Sequence, residues 1–98
     1  MKVTIIIADN AVYKDGASYL GLNLSTCGIP DNVWALQWQD TSGWIEDKSA
    51  LVDNITITEL PAWATACVTK WDETKAAEEA AQQAAQQAAQ QDTPQEGV

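Results

Sequence analysis

Residues 33–46 carry three of the chain's five tryptophans and predict a β-hairpin. Trp34, Leu36 and Trp38 alternate with smaller or polar residues, which is the period-2 pattern of a strand that buries one face. Residues 40–43, Asp-Thr-Ser-Gly, have the composition of a hairpin turn, after which the chain returns as a second strand. We expect this hairpin to lie at the centre of the core, which restricts the chain to folds built around an antiparallel sheet.

The length of the turn decides which face of the sheet receives Trp44. A three-residue loop would pair Asp40 with Trp44 and place Trp44 on the face that carries Trp34 and Trp38. A four-residue loop would pair Gln39 with Trp44 and send its side chain to the opposite face, where it could anchor a protein partner or a sugar. The glycine that ends the turn suits the left-handed position of a three-residue loop, so we expect Trp44 to pack in the core.

Core packing is also the expected role of the four other tryptophans, because each buries a large apolar area in a small domain. These residues are Trp34, Trp38, Trp63 and Trp71.

Short extended segments precede and follow the hairpin. Turn-forming residues separate them, and the predicted strands lie at residues 2–8, 11–13, 17–25 and 55–58. The first segment is apolar on both faces, which predicts a strand covered on both sides. In the third, Leu20, Leu22 and Leu24 share one face, which predicts a half-buried strand. The regular turns predict an antiparallel meander.

The period of the apolar residues changes near residue 58. Residues 58–61, Thr-Glu-Leu-Pro, combine a hydroxyl cap, an acid and a proline, as helix starts do. Trp63, Cys67 and Trp71 follow at i, i+4 and i+8, which places them in one stripe of a helix. We expect residues 61–71 to dock on the sheet and close the core.

Three copies of Ala-Ala-Gln-Gln occupy residues 80–91. Ala and Gln favour helix, so residues 76–91 are predicted to project as an Ala/Gln-rich arm, with residues 92–98 disordered. Each repeat advances about 40° around the helix axis, so the Ala pairs form no straight seam. Two interpretations stay open: a solvated helix, or a helix that packs through its alanines in an oligomer or on a fibrous partner. The candidate contact positions are Ala76, Ala77, Ala80, Ala81, Ala84, Ala85, Ala88 and Ala89.

The charge of the chain argues against several classes of partner. Fourteen acidic residues and five lysines give a net charge of −9, and the chain has no arginine and no histidine. Such a chain is repelled by phosphate backbones and by anionic lipids, so we expect neither nucleic-acid nor membrane binding. No apolar run approaches the roughly 20 residues that cross a bilayer, and nothing resembles a secretory signal. We therefore expect a soluble chain.

Catalytic and metal-binding patterns are equally scarce. Histidine is the commonest general base and metal ligand, and the chain has none. No CxxC pair, EF-hand loop or Gly-rich phosphate loop is present in the sequence. We therefore expect no enzyme, no cofactor and no metal. Cys27 and Cys67 are predicted to fill packing positions, and the sequence leaves open whether they form a disulfide or remain free thiols.

The hairpin sequence also carries a resemblance. Val-Trp-Ala-Leu-Gln-Trp at 33–38 and Thr-Ser-Gly-Trp-Ile-Glu at 41–46 resemble a recurring motif of small accessory proteins of tailed bacteriophages. The first strand segment with Asp9-Asn10, and Leu-Pro-Ala-Trp at 60–63, extend the resemblance over roughly residues 1–75. The chain departs from the family pattern at Gln39-Asp40 with Trp44, where that pattern has a more polar Asp-Gly turn and an acid.

That resemblance implies a product of the tail, tail-fibre or baseplate region, without catalytic residues. We therefore expect a structural component of the virion tail, made in the host cytoplasm, that binds a tail-fibre or baseplate protein and self-associates with its partner's symmetry. One alternative is a tail-fibre assembly chaperone that is absent from the finished particle. Another is a receptor- or glycan-binding tip module.

The predicted architecture is α+β, a small antiparallel β-meander packed against one long C-terminal helix. Its predicted divisions are a sheet domain at 1–60, a helix at 61–91 and a tail at 92–98.

Overall fold

The computed structural model describes residues 1–92, with side chains through residue 88, and has an α+β fold. This confirms the predicted class. Six antiparallel strands form one sheet: β1 (Lys2–Ile6), β2 (Ala11–Lys14), β3 (Ala17–Tyr19), β4 (Val33–Gln39), β5 (Ser42–Asp47) and β6 (Ile55–Ile57). A long helix, α1 (Ala62–Asp92), follows the sheet.

The strands are arranged in the order β3-β2-β1-β4-β5-β6. The sheet therefore consists of two three-stranded meanders, joined where β1 pairs with β4. In this pairing Val3 lies opposite Trp38 and Ile5 lies opposite Leu36. The first strand of the chain is thus a central strand.

The helix covers one face of the sheet and encloses the core. Val3, Ile5 and Leu36 are completely buried on this covered face. The helix contributes the stripe that the sequence predicts, and its buried members are Ala64, Cys67, Val68 and Trp71. Trp63 is half-buried against the same cluster.

Two predicted strands are shorter than the sequence suggested. The segment predicted as 17–25 ends at Tyr19, because Gly21 adopts a φ of +69° and takes the chain out of the extended conformation. Leu20 is consequently exposed, whereas Leu24 reaches the core from an irregular connection. The first strand ends at Ile6 and continues as a 3₁₀ turn, Ile7–Asp9.

The two faces of β1 also differ from the prediction. Val3 and Ile5 are buried under the helix, but on the opposite face of the sheet Thr4 and Ile6 are only half-buried. The alternation on β1 is therefore that of a half-covered strand.

The Trp-rich hairpin forms, but with a shorter turn than either predicted loop. Gln39 pairs with Ser42, so the loop contains only Asp40 and Thr41. Asp40 takes the left-handed conformation, with φ of 56°, and Gly43 lies inside strand β5. The glycine is required by close approach, because a Cβ there would collide with the carbonyl oxygen of Gln37.

Trp34 does not pack in the core, contrary to the prediction. The pairing of β4 with β5 shifts register between Val33 and Ala35, which leaves Trp34 without a direct partner at a β-bulge. Its side chain is 47% exposed, whereas Trp38 and Trp71 are buried. The prediction of core packing for Trp34 is therefore wrong, since the bulge interrupts the alternation on which it rested.

The helix extends to Asp92, the last residue that the structure describes and one residue beyond the predicted end of the arm. The predicted disordered tail otherwise lies at residues 93–98, outside the described residues. In the described part of the chain, no helix is long and apolar enough to cross a membrane.

Candidate functional site

The uncovered face of the sheet, which we call the open face, carries a row of directly paired side chains. The strand registers place one residue from each strand in this row, in the order Ser18, Tyr13, Thr4, Gln37, Trp44 and Thr56. Since neighbouring strands lie about 4.8 Å apart, the row extends about 24 Å across the sheet. Two aromatic rings therefore lie near its two ends, with uncharged polar groups between them.

Trp44 lies on this open face and not in the core. The two-residue loop pairs it with Gln37, whose side chain points away from the helix, and its indole is 43% exposed. The prediction that Trp44 packs in the core is therefore wrong. Loops of three and of four residues were the two expected from the sequence. The observed two-residue loop differs from the four-residue loop by two residues, so both place Trp44 on the same face of the sheet.

The row is ordered by hydrogen bonds between its own side chains and their neighbours. The Thr4 hydroxyl donates to Oε1 of Gln37 at 2.7 Å. The indole N–H of Trp44 donates to Oε2 of Glu46, two residues further along the same strand, at 3.0 Å. These bonds fix the amide and the indole, and fixed side chains lose less entropy when a partner binds.

Two concavities flank Thr4 on the open face. One has a volume of about 470 Å³ and is lined by Lys2, Thr4, Ile6, Tyr13 and Gly16. The other is small, about 60 Å³, and lies between Thr4, Lys2 and the side chains around Trp44. Because Lys2 and Thr4 line both, the two concavities lie side by side between Tyr13 and Trp44, and we call the two together the groove.

An ion pair lies at one edge of the open face, at the tip of the β4–β5 hairpin. The Met1 ammonium contacts Oδ1 of Asp40 at 2.8 Å, and the Asp40 amide donates to the Met1 carbonyl oxygen. The carboxylate hydrogen bond raises the pKa of the Met1 amine, and the ammonium in turn lowers the pKa of Asp40. Both groups are exposed, so the pair positions the hairpin tip more than it stabilises the fold.

A separate cluster fixes the base of the arm. Trp71 donates from its indole N–H to the Ala17 carbonyl oxygen at 3.2 Å and packs against the Tyr19 ring, 5.5 Å between centroids. Lys14 lies over the Trp71 ring and also forms a 2.6 Å ion pair with Asp72. A hydrogen bond to the Glu78 carboxylate raises the pKa of Tyr19, because it stabilises the protonated phenol.

Beyond this cluster the arm is exposed. The structure places the following predicted contact positions on the exposed part of the helix: Ala76, Ala77, Ala80, Ala81, Ala84, Ala85 and Ala88. The side chain of Ala89 lies outside the described residues. The molecule measures 71 × 25 × 19 Å, and the arm accounts for its elongation. The structure does not bring Trp44 and the arm alanines into one site; they form two separate surfaces.

Sequence reasoning did not identify Tyr13, Thr4 and Gln37 as parts of a site. The alternation along β1, β2 and β4 indicates which face each of these residues occupies. It does not show that the three are neighbours, which follows only from the order of the strands in the sheet. Within the described part of the chain, no group of three or more acidic or cysteine side chains is arranged to hold a metal ion.

Comparison of the chain with protein-family models, with curated proteins and with solved structures finds no match.

Proposed function

We propose that this protein is a non-enzymatic structural accessory component of a bacteriophage tail, which binds a tail-fibre or baseplate protein through the open face of its sheet. The observation that carries the proposal is the groove between Tyr13 and Trp44, which the helix leaves uncovered. The resemblance of residues 33–46 and 60–63 to phage tail accessory proteins supplies the identity of the partner.

The composition of the open face suits a protein contact. Exposed Tyr and Trp side chains are the residues that most often anchor protein interfaces, because they bury a large area with few rotatable bonds. Thr4 and Gln37 provide uncharged hydrogen-bonding groups between the anchors. Lys2 and Glu46 add one charge of each sign, so a partner need not be strongly charged.

The size of the open face favours binding in several copies. The row is about 24 Å long and the strands are about 16 Å long. The area of a face with these two dimensions is smaller than the patch of about 800 Å² that each partner contributes to a standard interface. A single contact of this size is expected to be weak. Repeated copies on a symmetric tail would raise the overall affinity without any new contact, and the exposed arm offers a second surface for association.

The decisive experiment is mass spectrometry of purified particles from the phage or induced prophage that encodes the chain. We expect the polypeptide to copurify with the tail in a fixed ratio to a fibre or baseplate protein. Its presence in infected-cell lysates but not in finished particles would contradict a structural role and favour an assembly chaperone.

A variant experiment tests which surface makes the contact. In lysates of cells producing the tail proteins, tagged chain carrying Trp44→Ala and Tyr13→Ala should retain less than about one tenth of the tail partner that wild type retains, a loss typical of anchor residues. The control is Leu51→Ala, which removes a side chain that is 94% exposed in a turn away from the sheet. Equal retention by the double variant and by wild type would exclude the open face as the contact.

A glycan-binding role is the second candidate, and the exposure of Trp44 beside the Gln37 amide favours it. An indole face stacks on a sugar ring, and amide and hydroxyl groups hydrogen-bond to sugar hydroxyls. Host-surface polysaccharide should then quench the tryptophan emission of wild type but not of Trp44→Ala. An unchanged spectrum at millimolar sugar would count against this role.

A further inference from the structure

The row of paired side chains on the open face has nearly the same chemical order from either end. Counted from β3 or from β6, a small hydroxyl side chain comes first, an aromatic ring second and a hydrogen-bonding polar group third. Across the sheet these side chains are Ser18, Tyr13, Thr4, Gln37, Trp44 and Thr56. The centre of the pattern is the boundary between β1 and β4, which is also the centre of the six-stranded sheet.

A row with this order is complementary to a second copy of itself. In a two-fold symmetric pair, the same patch of each copy forms the contact, so each residue meets its partner twice. If a second copy stacks on the open face with the two-fold axis parallel to the strands and above the β1–β4 boundary, β1 lies over β4 of the other copy and β2 lies over β5. Tyr13 then lies opposite Trp44 of the second copy, and Thr4 lies opposite Gln37 of the second copy.

The neighbouring positions on the open face fit the same arrangement. The pairing of β1 with β4 places Lys2 beside Gln39 and Ile6 beside Ala35. The axis would therefore set Lys2 opposite the uncharged Gln39 of the other copy, and the large Ile6 opposite the small Ala35. Sheets that pack face to face lie about 10 Å apart and are rotated by about 30°, which displaces the pairs nearest the axis least.

Charge also favours this face for a contact between copies. The chain has a net charge of −9, so two copies repel each other in general. The strands place Lys2 and Glu46, one charge of each sign, on the open face, and Glu46 accepts the indole N–H of Trp44. At the edge, Asp40 forms an ion pair with the Met1 ammonium. The strand positions of the open face are therefore electrically balanced, which removes the main obstacle to contact between copies.

The other two-fold arrangement of two open faces fits less well. An axis along the row, perpendicular to the strands, would place each strand over its own counterpart, so that Thr4 meets Thr4 of the second copy. It would also set Lys2 opposite Ile6, which removes water from an ammonium group without supplying a hydrogen-bond partner. The axis parallel to the strands is therefore favoured.

We propose that the free protein forms a weak two-fold symmetric dimer through its open face, with Tyr13 of each copy against Trp44 of the other. The face measures about 24 by 16 Å, so the dimer belongs with the interfaces that bury less than about 1,200 Å² in total, which are weak and transient. The two aromatic pairs are the anchors, because rings in offset or edge-to-face contact stabilise an interface beyond the area that they bury.

The dimer concerns the free chain and does not rest on the proposed function. A tail protein that binds the open face would have to displace the second copy, because both occupy the groove. The dimer would thus keep the aromatic anchors covered until such a partner is bound. The two proposals fail separately, since the dimer is measured on the purified chain and the tail contact on purified particles.

Sedimentation equilibrium of the purified full chain tests the dimer. We expect a monomer–dimer equilibrium with a dissociation constant of about 0.1 mM, because an interface of this size is weak. Trp44→Ala and Tyr13→Ala should each raise that constant by at least about tenfold, since an anchor residue occurs twice in a symmetric interface. Ile55→Ala is the matched control, because it shortens an exposed apolar side chain at the β6 edge, outside the row, and should leave the constant unchanged. A wild-type chain that stays monomeric at about 1 mM would overturn the proposal.

Two charged variants test how the copies are arranged. Thr4→Glu and Gln37→Lys each add a charge beside the axis, so each variant alone should be monomeric where wild type is dimeric. In an equal mixture, the new acid of one copy lies opposite the new base of the other, and a mixed dimer should form with an affinity close to that of wild type. Stronger restoration by Thr4→Glu mixed with Thr4→Lys would contradict the axis parallel to the strands.

The dispersion of amide proton signals shows whether each variant is folded. If a charged variant is unfolded, the comparison of the two aromatic substitutions with Ile55→Ala decides. A dimer that survives both aromatic substitutions overturns the proposal. Its loss in Ile55→Ala would then assign the contact to the β6 edge, and its loss in Ala81→Glu would assign it to the arm.

Discussion

The two faces of the sheet are built from alternate residues of the same strands, but they differ in burial. On the covered face, side chains such as Ile5 and Leu36 are completely buried beneath α1. On the open face, Tyr13 and Trp44 remain 38% and 43% exposed. A change of one residue in the length of the β4–β5 turn would direct Trp44 to the covered face, because side chains alternate with a period of two.

This difference separates stability from recognition within one small sheet. Residues on the covered face contribute mainly through apolar area removed from water, about 25 cal/mol for each Å². Residues on the open face have kept part of that area in water, where a partner can bury it. Substitutions on the two faces should therefore have effects of different size and kind.

The largest expected effect is that of Trp71→Ala, which removes the main side chain that the helix places over the covered face. Besides its packing, Trp71 donates a hydrogen bond to the Ala17 carbonyl oxygen and supports Lys14. We expect a loss of about 3–5 kcal/mol in the free energy of unfolding, measured in urea. Trp63→Ala, at a half-buried position, should cost less. If the two variants unfold at the same urea concentration, Trp71 does not hold the helix to the sheet.

Gly43→Ala should have the next largest effect, because it adds a methyl group on the covered face of β5. The added Cβ would clash with the Gln37 carbonyl oxygen and lie 2.9 Å from the Cα of Trp38. Backbone must move to relieve this contact, so we expect a loss of about 1–3 kcal/mol in urea unfolding. Ser42→Ala is the neighbouring control and should stay within about 0.5 kcal/mol of wild type. A neutral Gly43→Ala would show that the hairpin can widen freely.

Much of the covered face could be predicted from the sequence. The helical stripe of Trp63, Cys67 and Trp71 follows from a local spacing, which the structure retains because nothing interrupts the helix. The antiparallel arrangement followed from short strands separated by turns. These predictions succeed because each depends on neighbours within a few residues.

The open face could not be predicted in the same way. Its composition depends on the two-residue turn at Asp40, which is tied to the distant Met1 amine, and on the bulge that exposes Trp34. It depends also on the insertion of β1 beside β4, which brings Thr4 next to Gln37. These are long-range pairings, and the alternation within one strand does not specify them. Gly43 was informative for a reason other than the expected one: it relieves a cross-strand contact and is not a turn residue.

Trp44→Ala should affect stability much less than either substitution on the covered face. The indole is almost half exposed and makes its hydrogen bond to Glu46 in contact with solvent, so we expect a change within about 1 kcal/mol in urea unfolding. Trp38→Ala, on the same hairpin but under the helix, is the matched comparison and should cost about 3–5 kcal/mol. Similar losses for the two variants would mean that the open face also contributes to the core.

The smallest expected effect is that of Asp40→Asn, which removes the exposed ion pair at the edge of the open face and should be detected through its pH dependence. The pKa of Asp40 is lowered from its ordinary value of 3.8, so its contribution is present above that value and is lost as pH falls through the lowered pKa. The pKa of the Met1 amine is raised above 8.0, so its contribution is present below pH 8.0 and is lost as pH rises through the raised pKa. Thermal midpoints of wild type and Asp40→Asn should therefore differ most between about pH 4 and pH 8 and converge on both sides of that window.

Asp53→Asn, an exposed acid in a turn before β6, is the control and should not reproduce this profile. A constant difference from acid to alkaline pH would mean that Asp40 does not act through its charge; the left-handed turn conformation would not explain that difference, because asparagine also tolerates it.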